Sequence, residues 1–85
     1  MYLKNKRLAS MRKKYKVSQN TLAQAVGLTQ SMISHVEAGR KDVSKIYKIK
    51  IARYFNELHN TNVSVDWLFY EQVNDLEAYL SDSVS

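Results

Sequence analysis

Apolar residues return along this chain every three or four positions in several separate runs, the spacing of one buried stripe on each of a series of short helices. The densest case is residues 19–39, QNTLAQAVGLTQSMISHVEAG, where Leu22, Val26, Leu28, Ile33 and Val36 supply an inward face. Gln30, Ser31, Ser34 and His35 fall on the other side. Ala23 puts a small residue where a second backbone can cross, and Gly27, four positions later, tolerates the positive φ of a tight turn.

Both helix starts in this stretch are written locally. Ser18 and Thr29 are N-cap residues, each preceded by an apolar residue (Val17, Leu28) and followed by another at the fourth helical position (Leu22, Ile33), so each start carries a hydrophobic staple. The second helix then opens near Gln30 and stops at Gly39, the left-handed residue past its end. Two short helices meeting at one glycine with facing apolar sides make a helix-turn-helix.

The flanking runs predict three more helices. The first spans Tyr2 or Leu3 to Tyr15, with Leu8, Met11 and Tyr15 as its stripe, Lys4, Lys6, Arg7, Lys13 and Lys14 over its exposed side, and Arg12 beside the stripe. The fourth begins at Asp42 or Ser44 and runs to about Leu58, with Ile46, Ile49, Ala52, Phe55 and Leu58 at core spacing and Tyr47 and Ile51 on the flanks. Asn56 to Asn62 reads as a loop, with His59 as filler. Val63, Ser64 and Leu68 repeat the staple and cap, opening a fifth helix in which Trp67 and Phe69 are large core fillers. Val65, Phe69, Val73, Leu76 and Leu80 keep helical spacing with no breaker before Ser81, which extends that helix toward the C-terminus. Such a stripe left free would expose apolar area, so it folds back or meets a partner.

Composition narrows the class. Proline is absent and glycine occurs only at 27 and 39, favouring an all-α chain with short turns. At 85 residues one core is expected: a helix-turn-helix DNA-binding domain over 1–70, with 71–85 as an acidic amphipathic extension of it. The lack of cysteine excludes disulfide and thiolate chemistry. No signal peptide or long apolar run is visible, so no membrane partner is expected and the cytoplasm is the expected location. The formal charge of +5 hides an asymmetry: all thirteen bases lie between Lys4 and Arg53 against only Glu37 and Asp42, a net of +11, whereas residues 55–85 hold six acids and no base, a net of −6. That division suggests a nucleic-acid face with an acidic far side or tail.

Gln19, Leu22-Ala23, Gly27, Ile33, Val36-Glu37 and Gly39 together resemble the Cro/repressor type of helix-turn-helix family, the Xre-like regulators of bacteria and phages. The resemblance reaches from about Leu8 to Phe69, with Val63-Ser-Val-Asp-Trp-Leu68 similar to the family's fifth helix; Asn56 to Asn62 departs from it by being longer than the usual link. It implies a compact five-helix repressor-type domain in which Arg12 reaches Glu37 in a partly buried ion pair. It also implies that Gln30, Ser31 and His35 occupy base-reading positions, and that Gln19 contacts the DNA backbone and braces the reading side chains.

The chemistry available fits that class. Two isolated histidines, no paired inward carboxylates, no phosphate-cradling glycine loop and no ligand-spaced cluster leave nothing for catalysis, a metal or a cofactor. A major groove admits one helix and meets its N-terminal residues, here Gln30, Ser31, Ser34 and His35. That helix holds no lysine or arginine, so phosphate clamps fall to its margins: Lys16 and Ser18 on one side, Arg40 and Lys41 on the other. The expected function is a sequence-specific transcription regulator, a repressor binding a two-fold double-stranded DNA operator as a homodimer. The alternative is an antitoxin-type module whose C-terminal segment binds a protein partner and whose DNA binding autoregulates.

Overall fold

The computed structural model describes residues 4–70, and every regular element among them is helical. The order is α1 (Lys6–Lys14), α2 (Gln19–Val26), α3 (Gln30–Ala38), α4 (Lys45–Leu58) and α5 (Asp66–Tyr70), the last a single turn wound as a π-helix. The expected extension of the fifth helix through Val73, Leu76 and Leu80 lies outside the described residues. Each helix sends at least one side chain to the centre: Leu8, Leu22, Ile33, Ile51 with Phe55, and Leu68 are all fully enclosed. Burying each removes about 1.5–3 kcal/mol worth of apolar contact with water.

The caps explain where the helices begin. Ser18 Oγ accepts from Thr21 N at 3.0 Å, and Thr29 Oγ1 from Met32 N at 3.1 Å, so both expected N-caps form. α1 starts at Lys6 instead of Tyr2 or Leu3, because Asn5 acts as its cap: the side-chain oxygen accepts from Leu8 N at 3.0 Å. The Asn5 backbone N–H meanwhile donates to Glu37 O at 2.9 Å, pinning that start to the end of α3. Ser64 Oγ accepts from Trp67 N at 3.0 Å and opens α5. Leu68 is the enclosed residue there, while Trp67 and Phe69 pack half-buried on the core's edge.

Gly27 closes α2 at φ 83°, and Leu28 N donates back to Ala23 O at 2.8 Å. A Cβ built on Gly27 meets nothing within 4 Å, so the turn demands glycine for its dihedral angle and not for space. Substitutions should therefore rank by tolerance of the left-handed region: Gly27→Asn least harmful, Gly27→Ala about 1 kcal/mol, Gly27→Val about 1–3 kcal/mol. Thermal melts of the three would show it, and equal midpoints would contradict the strain argument.

α4 buries Ala52 and Phe55 as expected but departs from the expected stripe toward both ends. Ile46 is 54 % exposed and Leu58 65 %, while the buried stripe is Lys48, Ile51, Ala52 and Phe55. Lys48 makes this phase work: its stem runs inward, and its ammonium donates to Asp42 Oδ2 at 3.1 Å and sits 4.7 Å from the Tyr70 ring centroid. A long cationic side chain can cover apolar surface in this way, which hides its position from a hydropathy pattern. His59 is not filler either. It follows α4 and stacks on Tyr15 at 4.7 Å between ring centroids, with Tyr54 edge-on at 6.1 Å. Asn56 organises the link that follows, donating to Val63 O and accepting from Val63 N and Thr61 Oγ1.

Candidate nucleic-acid interface

Packing against the core fixes which side of α3 faces outward. Ile33 and Val36 are buried, so Gln30 and Ser31 emerge exposed in the first turn, with Ser34 and His35 half-buried one turn on. Gly39 ends the helix at φ 76°, and Arg40 and Lys41 follow as exposed cations. At the start of α2, Lys16 is exposed with φ 58°, a left-handed conformation that turns the chain from α1 into the Ser18 cap. Ser18 is exposed as well, its hydroxyl donating to Thr21 Oγ1 at 2.9 Å.

The last turn of α3 is held by Glu37. Its carboxylate takes a two-pronged bond from Arg12, Nε to Oε2 at 2.8 Å and Nη2 to Oε1 at 3.0 Å, and Arg12 Nη1 donates to Val17 O at 3.1 Å. Both side chains are nearly enclosed, 13 % and 9 % exposed. The hydrogen bond to Glu37, assisted by its charge, raises the Arg12 pKa above its ordinary value even though burial opposes it. Gln19 joins them, Nε2 donating to Glu37 Oε1 at 3.1 Å. In this structure, then, Gln19 braces the ion pair. One carboxylate ties α3 to α1 and α2, on top of the backbone bond from Asn5.

A helix-turn-helix family model, of the Cro/C1 type, matches residues 8–59 of the chain. The chain belongs to this family. Comparison with curated proteins and with solved structures gave no match. As a member of a family of DNA-binding transcription regulators, the chain is a DNA-binding regulator, in a family not typically enzymatic. The match includes α1 to α4 almost whole, and α5 lies beyond it. Among the described residues no helix is long and apolar enough to cross a membrane.

The helix-turn-helix also draws on bases that the sequence pattern treats as surface charge. Arg7 is half-buried, its guanidinium 4.7 Å from the Trp67 ring centroid and its Nη1 donating to Trp67 O at 2.6 Å. Lys48 is buried and pairs with exposed Asp42, and Arg12 pairs with Glu37 where both are nearly enclosed. Three of the thirteen bases therefore do structural work, and the charge offered to a polyanion is smaller than the sequence count. The apolar stripe of α1 could have signalled Arg7, which precedes Leu8 and lies one turn before Met11. Its partner sixty residues away could not be read from spacing.

His35 carries a further detail: its Nδ1 is enclosed with no hydrogen-bond partner.

Proposed function

We propose that the chain is a repressor that binds a two-fold DNA operator as a homodimer, with α3 in the major groove. The observation that carries this is the split of α3, whose first-turn residues Gln30 and Ser31 are exposed while Ile33, Val36 and Glu37 anchor it. Gln30 suits adenine, because its amide can donate to N7 and accept from N6 at once. Ser31 and Ser34 can bond either kind of base edge, and the His35 imidazole can donate to or accept from base edges and phosphates. Lys16, Arg40 and Lys41 clamp phosphates at the margins, and the open N–H groups behind Ser18, at Gln19, add backbone contacts.

One helix reads too few base pairs for useful selectivity, which is why two copies on half-sites about 10 base pairs apart are required. Occupying such a site next to a promoter blocks it, and the protein acts in the cytoplasm where that DNA is. Selection of duplexes from a random pool, followed by footprinting, tests the reading. An enriched two-fold sequence protected on one face of the duplex is expected. Binding equally strong to every duplex would overturn it.

A further inference from the structure

α1 and α5 leave between them an open groove of about 330 Å³, lined by Lys6, Arg7, Ser10, Met11, Lys14 and Trp67. Its floor is apolar, from Met11 and the Trp67 indole, and the Arg7 bond to Trp67 O fixes one wall. Lys6, Ser10 and Lys14 stand four residues apart, one row along α1, and both lysines are exposed. A cationic rim over an aromatic floor is complementary to an acidic segment with apolar residues at helical spacing.

We propose that residues 71–85 of the same chain dock in this groove and place their carboxylates against Lys6 and Lys14. The segment begins one residue after α5 ends and four after Trp67, the groove's own wall. It carries Glu71, Asp75, Glu77 and Asp82 with no base, and Val73, Leu76 and Leu80 at three- and four-residue spacing to meet the floor. Its reach is ample: fifteen residues can extend about 50 Å, whereas the nine residues of α1 rise about 14 Å. The tether also holds it at an effective concentration on the order of millimolar, so a weak contact suffices. Docking sets four negative charges beside the basic α1 and lowers the field that attracts phosphates. This consequence rests on the DNA-binding reading, whereas docking itself does not.

The test uses the full chain. Zero-length carbodiimide coupling of an equal mixture of ¹⁴N- and ¹⁵N-labelled protein should join Lys6 or Lys14 to a carboxylate of 71–85 within single chains. Yield should fall as salt is raised to about 1 M, where the screening length is about 3 Å. Trp67 is the sole tryptophan, so acrylamide quenching reports the groove directly. The pair Lys6→Glu and Lys14→Glu should raise quenching while circular dichroism shows the helices intact. Mixed-isotope products would assign the groove to a second copy and overturn the proposal, as would unchanged quenching or coupling only to α4 lysines. Neutralising the four acids should raise affinity for random-sequence DNA about tenfold at low salt. Single-chain coupling without that rise would keep the docking and refute its effect on DNA.

Discussion

Replacing Gln30 with alanine is expected to weaken binding to the best operator by about 1–3 kcal/mol per half-site and to flatten preference at one base pair in each. The salt dependence should stay nearly unchanged, since the lost bonds go to a base and release no counterion. Lys41→Ala should do the reverse. It should weaken operator and scrambled duplex alike and lower the slope of log affinity against log salt by about 0.9 per lost phosphate contact, twice over in a dimer. Both residues are exposed and neither side chain enters the hydrogen bonding that holds the fold, so the variants should melt like the parent. Titrations at several salt concentrations on both duplexes separate the two behaviours. Intact base preference in Gln30→Ala would remove α3 as the reader.

Glu37→Gln should be the most damaging single change in the turn region, destabilising by about 3 kcal/mol. It leaves the Arg12 guanidinium enclosed opposite a neutral amide, and a buried charge without its counter-charge is costlier than the pair is valuable. Adding Arg12→Met should recover part of the loss, because the orphaned charge goes too. Urea unfolding of the two single variants and the double variant measures the coupling; strictly additive effects would mean the two side chains do not interact. The pH dependence follows from Arg12. Its folded pKa is raised, so its contribution is complete below the unfolded value and fades only as pH climbs through the folded one. Both lie far above neutrality, so the Arg12→Met penalty should not change between about pH 6 and 9.

The helix-turn-helix was legible in the sequence because its boundaries are local. Ser18 and Thr29 cap amides three residues on, and Gly27 and Gly39 supply their own left-handed turns, so no distant contact is needed to place them. The Arg12–Glu37 pair came from the family resemblance, since its partners stand twenty-five residues apart. Contacts formed only by the tertiary fold were misread. Asn5 looked like the interior of α1 because its second role, bonding Glu37 O, depends on where α3 ends. Lys48 disqualified its own stripe on charge alone, and α4 was phased on Ile46, which is more than half exposed. His59 had no visible role because the Tyr15 ring that it stacks on belongs to α1. The exposure of Lys16, Ser18, Gln30, Ser31, Arg40 and Lys41 was legible from the pattern; the half-burial of Ser34 and His35 and the commitment of the Gln19 amide to Glu37 were not.

α3 divides its residues by turn. Ile33, Val36, Glu37 and Gly39 hold it in place and half-buried Ser34 and His35 border them, whereas Gln30 and Ser31 are exposed and no side-chain hydrogen bond or ion pair among the described residues runs through them. The outward set is thus an exchangeable address on a fixed mount. After gene duplication, a few substitutions there could send one copy to a different sequence and end crosstalk with its sibling, and melting temperature would barely register the divergence.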